Sequence, residues 1–362
     1  MQKNKIKIAI DSGPLTSGHK IRGIGAHTSE LLQALKIKGV DFGKADLSKF
    51  DVLHYTSFHP YFINLPFRKP KAKVVLTIHD LIPLIYPKHY PGGIKGGIRL
   101  AINKFLINKN VDAIITISET SKKDICRFLG TDPGKVHVIY LAAKETFKKL
   151  VNNELLTKIK SKYHLPDKFA LYVGDVNYNK NIPILIKACK LAKIPLVICG
   201  KQALNIETLG KEDLSMLKGP KDWIRYLFGK PHPELAHFRS LLKEFNHGKS
   251  VIRLGFVPDE DLVAIYNLAT VYVQPSLYEG FSLPILEALA CGCPVVASKI
   301  QTHVEIVEGA VTLVEPTNPK DFVRGFNSLV KSPRLAGEQV KLPRKYSWAE
   351  TARQTLQLYE NV

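Results

Sequence analysis

Short apolar runs alternate with amphipathic stretches along the whole chain, and nearly every run stops at a glycine or a polar residue. Residues 5–11, 51–55, 73–78, 113–117 and 136–140 read as strands, and residues 26–36 and 94–108 as helices. Ser118 stands where an N-cap belongs, ahead of a helix reaching about Leu129. Strands apolar on both faces, each followed by a helix, imply a parallel sheet covered by helices. The chain is therefore α/β.

The plan then repeats. Residues 169–173, 196–199, 250–254, 271–274 and 294–297 read as strands, and 182–192, 259–267, 284–291 and 319–330 as helices. The polar, Lys-rich stretch 152–168 lies between the halves and reads as a helix and linker. A chain of 362 residues suits two domains. We expect them over 1–163 and 164–345, with residues 346–362 returning to the first. Two doubly wound sheets bind ligands at the carboxyl ends of their strands. Residues 202–247 are long for a strand-to-helix connection and hold the basic, aromatic run 222–228 and then Pro231-His232-Pro233. This reads as an insertion packed on the body, or as a flap or contact surface.

No run of about 18 apolar residues exists, so no transmembrane helix is expected. Asp11 cuts the first apolar run too short for a signal peptide. The five cysteines form no C-x-x-C pair, which argues against a disulfide framework or zinc site and fits a reducing cytosol. Lys and Arg number 52 against 32 Asp and Glu, a formal net charge of +20. That charge favours anionic partners, namely phosphates, nucleic acid or an anionic membrane face. A Lys-rich surface set by compositional bias accounts for it equally well.

The most informative string runs from Tyr278 to Val296, YEGFSLPILEALACGCPVV. Pro284 suits a first helical turn and Gly292 a helix stop. Glu279 then lies in the loop before a helix, and Glu287 on its second turn. Amides near Leu283 and Ile285 would point out of that helix N-terminus, which attracts phosphate. A carboxylate at 279 can accept from sugar hydroxyls, and one at 287 from a ribose diol.

This string closely resembles the E-x7-E signature of glycosyltransferase family 4, retaining enzymes of the GT-B fold. The resemblance covers nearly the whole chain. Tyr172-Val173-Gly174-Asp175 with Asn179-Lys180-Asn181 is similar to that family's donor-phosphate loop. Arg22-Gly23-Ile24-Gly25 resembles its glycine loop, Thr77-Ile78-His79-Asp80 its histidine strand end, and residues 117–121 a further match. The set looks most like bacterial mannosyltransferase-like members that build surface polysaccharides.

The resemblance implies two Rossmann-like doubly wound domains facing a central cleft. The donor nucleoside-diphosphate sugar would sit mainly on the second. It implies Lys180 on the diphosphate, His79 near the reacting carbon, Glu279 on sugar hydroxyls and Glu287 on the ribose. Gly23 and Gly25 would let backbone approach the donor. Gly174, Phe281, Ser282 and Leu283 belong to the donor-binding set. Many members carry an arginine near position 175 or 177; here Asp175 and Asn177 stand there, with Lys201 or Arg253 as stand-ins.

The implied activity is transfer of a hexose, mannose-like, to a glycan or lipid-linked acceptor in surface polysaccharide synthesis. The implied mechanism is front-face displacement. The alternatives are a non-catalytic sugar-nucleotide-binding subunit and another GT-B enzyme such as a phosphorylase. No cofactor and no metal are expected, because Asp259-Glu260-Asp261, the one D-x-D string, opens a helix after Pro258. No nucleic-acid module is recognisable, so nucleic acid is not an expected partner. Residues 94–109 mix basic and large apolar residues at helical spacing, which suits an anionic membrane surface. The same apolar residues, Ile98, Ile102, Phe105 and Leu106, also suit packing on the sheet. The expected location is the cytoplasm, peripheral at the inner membrane face.

Overall fold

The structure is a computed structural model and describes residues 6–16, 23–209, 220–228, 233–246, 250–307, 309–331 and 342–362. It divides into two compact units. One comprises Met1–Pro87, Gly92–Ala142 and Pro343–Val362; the other comprises Lys88–Pro91 and Ala143–Leu342.

The first unit runs β1 (Ile8–Ile10), α1 (Ile24–Leu35), β2 (Val52–Tyr55), β3 (Lys73–Thr77), α2 (Gly93–Asn110), β4 (Ala113–Thr116), α3 (Glu119–Leu129) and β5 (Val136–Val138). All five strands are parallel, in the order β1-β2-β3-β4-β5. Beyond β1, Asp11 bridges Val40, and the amide of Val40 donates to Ile10. The chain thus leaves β1 to one side and returns to β2 on the other. Ser118 caps α3 by accepting from the Ser121 amide, and Gly130 closes it in the left-handed region. Leu53, Leu76, Ile114 and Ile125 fill one face of the sheet with Leu106 and Ile107 of α2.

The second unit runs α4 (Asn153–Lys162), β6 (Ala170–Val173), α5 (Ile182–Ala192), β7 (Leu196–Cys199), α6 (Pro220–Leu227), α7 (Pro233–Asn246), β8 (Val251–Gly255), α8 (Asp259–Leu268), β9 (Val271–Gln274), α9 (Leu283–Ala290), β10 (Val295–Ser298), α10 (Gln301–Val307), β11 (Thr312–Val314) and α11 (Pro319–Lys331). Its six parallel strands have the order β11-β10-β9-β6-β7-β8. The winding reverses between β6 and β9, which is the doubly wound arrangement. The last helix, α12 (Trp348–Asn361), belongs to the first unit. Its Leu358 and Tyr359 pack with Val52, Val75 and Ile115.

The division falls between Ala142 and Ala143, earlier than the boundary expected at 163. The physical reason is that the intervening stretch is anchored on α8. The Leu150 amide donates to Asn267 at 2.9 Å, and Asn267 donates back to the Lys148 carbonyl at 3.0 Å. Lys144 pairs with Asp259 at 2.8 Å, and both Lys162 and Tyr163 reach Asp261 at 2.6 Å. Residues 88–91 also group with the second unit: the His89 ring stacks on Tyr178, and the Tyr90 hydroxyl donates to Asn179 at 3.0 Å.

The 202–247 segment behaves in two ways. On α7, Leu241 and Phe245 join the core packed around α5. On α6 and just after it, Trp223, Ile224, Leu227 and Phe228 are exposed. Pro231, His232 and His247 lie outside the described residues. No described helix is long and apolar enough to cross a membrane.

Candidate active site

In the second unit, the two strand ends at the winding reversal are those of β6 and β9, where open α/β sheets place ligands. β6 runs into Gly174 at φ +142°. Gly200 follows β7, and a Cβ built there would lie 2.1 Å from the Gly174 carbonyl oxygen. Only glycine at 200 lets these two strand ends approach so closely. The loop beyond Gly174 is held throughout. The Tyr172 hydroxyl donates to the Asp175 carbonyl at 2.5 Å, Gln202 accepts from the Val176 amide at 3.0 Å, and His237 donates to the Val176 carbonyl at 2.7 Å.

The loop is then tied to the segment after β9. The Asn179 side chain donates to the Tyr278 carbonyl at 3.1 Å, and the Asn179 backbone carbonyl accepts from the Leu277 amide at 2.7 Å. Asn181, left-handed at φ +56°, donates to the carbonyls of Pro275 and Pro316. These ties bring Lys180 onto Glu279. Its Nζ lies 2.7 Å from Oε1 and 2.8 Å from Oε2. Oε1 also accepts from Ser276 at 2.6 Å and Gln274 at 2.9 Å. Glu279 is buried. Burial pushes its carboxyl up, but the Lys180 charge and the hydrogen bonds from Lys180 and Ser276 outweigh it, holding the group below its ordinary value.

Directly after Glu279 comes the head of α9. Pro284 occupies its first turn, and Gly292, at φ +70°, follows its end. Phe281 and Ser282 are buried, and Leu283 is half-buried. The Ile285 amide, expected to point outward, donates instead to the Ser282 carbonyl at 3.1 Å, closing the first turn. Glu287 stands on the second turn and accepts from the Tyr266 hydroxyl at 2.9 Å. Cys291 and Cys293 are buried free thiols, pushed up by burial.

The first unit has its own strand-end set. Gly23, at φ +65°, leads into α1, and Gly25 is buried in the first turn. Arg22 lies outside the described residues. His79 follows β3, and the Ser121 hydroxyl at the head of α3 donates to its carbonyl at 3.0 Å. Its Nε2 lies 3.0 Å from Nδ1 of His27, and the rings meet edge to face. His79 Nδ1 is buried without a partner. Burial pushes His79 down to about 4, and His27 also falls well below its ordinary value, chiefly by burial. His27 escaped the sequence reading, although it sits two residues beyond Gly25 on the buried face of α1.

The two expected stand-ins for an arginine differ. Lys201 is exposed at the head of the short turn Lys201–Leu204, next to Gly200. Arg253 is occupied elsewhere: it pairs with Glu207 at 2.9 Å, donates to the Ala203 carbonyl at 3.1 Å and covers the Phe245 ring. Asp259 and Asp261 open α8 and are engaged by Lys144, Lys162 and Tyr163. Among the described residues, no three His, Cys, Asp or Glu side chains group as metal ligands.

Two Rossmann-like units with polar side chains gathered at their strand ends define the GT-B class of transferase fold. The chain belongs to the family described as glycosyl transferases group 1, whose model matches residues 156–353. A second model, glycosyltransferase family 4, matches residues 43–143. Among relatives, the serotype-specific mannosyltransferase WbdA of Escherichia coli is 28% identical over 83% of this chain and 36% of its own length. The O-antigen chain mannosyltransferase B of Escherichia coli is 29% identical over 70% of this chain and 60% of its own. This chain thus spans less than two thirds of the length of each of these relatives. Anabaena HepE, solved in complex with UDP-glucose, has the same fold at TM-score 0.66 and 17% identity, covering 99% of this chain and 100% of that one. Sucrose-phosphate synthase of Thermosynechococcus elongatus matches at TM-score 0.60 and 22% identity, covering 97% of this chain and 81% of its own.

Proposed function

We propose that this protein transfers a hexose, mannose being favoured, from a nucleoside-diphosphate sugar to a glycan or lipid-linked acceptor with retention of anomeric configuration. The observation that carries this reading is the Lys180–Glu279 pair, with Glu279 buried and Lys180 half-buried, at the winding reversal of the second unit, directly ahead of α9. A cation, a carboxylate and a helix head there match what a diphosphate and a sugar require. On this reading the donor divides the pair. Lys180 takes the diphosphate, joined by the Ser282 and Leu283 amides, and Lys201 adds charge from the next strand end. Glu279 takes sugar hydroxyls and Glu287 the ribose diol.

Gly174 and Phe281 shape the donor loops. In the first unit, His79 is assigned to the transferred sugar, and Gly23 and Gly25 to close backbone approach. With both histidines neutral, one proton joins His27 and His79, so His27 sets which nitrogen of His79 offers a lone pair. Catalysis rests on stabilising the departing diphosphate and on positioning. The relatives named as mannosyltransferases support the choice of sugar.

An anionic membrane face is the second partner we propose, on the cytoplasmic side. Helix α2 buries Asn103, Leu106, Ile107 and Asn110. It exposes Ile94 (78%), Ile98 (57%) and Phe105 (59%), and Phe62 and Phe67 are exposed on the connection between β2 and β3. Ile102 packs partly on the core, so packing claims only one side of the helix. Arg99 lies over Phe62, and Lys109 over Phe105. Between Val52 and Val111 the sequence has nine Lys or Arg and one acid, Asp80. Apolar side chains ringed by cations suit an interface of anionic lipid.

A thermal-shift screen of GDP- and UDP-sugars tests the donor assignment. We expect one nucleotide series to raise the melting temperature, by mass action on the folded state. No shift with any sugar nucleotide at millimolar concentration contradicts the assignment.

A further inference from the structure

Ser282 is a non-glycine residue at φ +102°, ψ 62°, at the head of α9. An L-residue is uncommon in that region and persists there only when its surroundings hold it. The holder is His303, one residue into the first turn of α10 beyond Thr302. Its Nε2 lies 2.9 Å from the Ser282 hydroxyl oxygen, and its Nδ1 lies 2.8 Å from the Ser298 carbonyl. A carbonyl only accepts, so Nδ1 carries the hydrogen. In the neutral ring Nε2 is then a bare lone pair, and the Ser282 hydroxyl donates to it. His303 is fully buried, which favours that neutral form, and the Lys180 charge favours it too; Glu279 and the hydrogen bond to the Ser298 carbonyl pull the other way. Its neighbour Thr302 donates to the Glu279 carbonyl at 2.7 Å. The first turn of α10 therefore grips both ends of the turn from Glu279 to Ser282.

We propose that His303 is a positioning residue: by holding the Ser282 hydroxyl it fixes the one conformation of the 279–282 turn that presents Glu279 and the head of α9 to the donor. This inference rests on the donor assignment given above. His303 touches no reacting atom. Its effect passes through Ser282 and should fall on donor affinity.

The test is a double-mutant cycle of His303→Ala and Ser282→Gly, read in two ways. The first readout is amide hydrogen exchange over residues 279–285, which reports the turn whether or not the protein is a transferase. The second is the dissociation constant of the sugar nucleotide that gives the largest thermal shift. Glycine takes φ +102° without strain, so the two sites should couple. We expect His303→Ala to raise exchange in the turn and weaken donor binding about tenfold in the Ser282 background, but only about twofold beside Ser282→Gly. Ser282→Ala keeps the strain, loses the hydroxyl and leaves the buried ring in place. It should reproduce His303→Ala, and it serves if the histidine variant fails to fold. Unchanged exchange in both variants overturns the proposal, as does an equal His303→Ala penalty in the two backgrounds. Absence of donor binding by the wild type would refute the donor assignment alone, leaving exchange to judge the role of His303.

Discussion

Lys180 and Glu279, ninety-nine residues apart in sequence, hold each other through both carboxylate oxygens, at 2.7 and 2.8 Å. The pair is largely withdrawn from water: the lysine side chain is 22% exposed and the glutamate 7%. Removing one member of such a pair strands the other, which costs about 3–5 kcal/mol.

Stability and activity should therefore separate at this pair. Lys180→Ala should lower the melting temperature, because the Glu279 carboxylate keeps only its Ser276 and Gln274 side-chain donors. It should also cut the transfer rate by at least about a hundredfold, the scale of losing a main charge-stabilising donor. Adding Glu279→Gln neutralises the stranded carboxylate and should recover most of the melting temperature, with the rate still lost. Thermal unfolding and turnover of the three proteins check both halves. Full activity in Lys180→Ala would remove lysine from the reaction.

Acid should unfold this protein through its buried histidines. Burial pushes His54 down to about 3, with His79 and His303 at about 4, and lowers His27 strongly. Unfolded histidine takes up a proton near pH 6.5. Between 6.5 and the folded values the unfolded chain binds more protons, so stability falls as pH falls through that window. Each such histidine contributes about 1.4 kcal/mol per pH unit below 6.5. His54 is clasped by the Tyr359 hydroxyl at 2.5 Å and Thr77 at 2.7 Å, so α12 should loosen early. The melting temperature should drop steadily from pH 7 to pH 5. A flat profile there would contradict the burial of these rings.

Chelation should leave the rate unchanged. Asp259 and Asp261, the two acids of the only D-x-D string, are held by Lys144, Lys162 and Tyr163 at the head of α8. Assays in millimolar EDTA, with and without added Mn²⁺, measure this directly. A rate lost to EDTA and restored by Mn²⁺ would require a metal site elsewhere.

Liposome flotation tests the α2 surface. The wild type should float with vesicles rich in anionic lipid and stay behind with neutral ones. Lys95→Glu, Arg99→Glu and Lys104→Glu together should abolish flotation, since each cation near the surface adds about 1 kcal/mol. Soluble donor hydrolysis should persist in that triple variant. Equal recovery on neutral and anionic vesicles would defeat the proposal.

Much of the fold was legible because buried parallel strands leave an unmistakable apolar signature. The strands 196–199 and 271–274 and the helix 182–192 match the sequence reading residue for residue. The short edge strand β11 was not read, since Thr312–Val314 has only three residues and buries only Val314. Nor was α10, whose seven residues carry little apolar periodicity. That omission hid the brace on Glu279, because Thr302 and His303 are ordinary polar residues until α10 places them. The boundary was misplaced for a related reason: the polar stretch before 163 looks like a linker, yet Lys144 and Lys162 pin it to α8. Pairings between distant residues, such as Lys180 with Glu279, carry no local signature. Each residue was picked out by its motif, but their contact was not.

The most direct test is the configuration of the product. Purified protein is incubated with a nucleoside-diphosphate hexose of α configuration, and the anomeric proton of the first product is read by NMR before mutarotation. The account predicts an α product, formed by the wild type and lost in Lys180→Ala. A β product, or equal turnover by the two proteins, would contradict it.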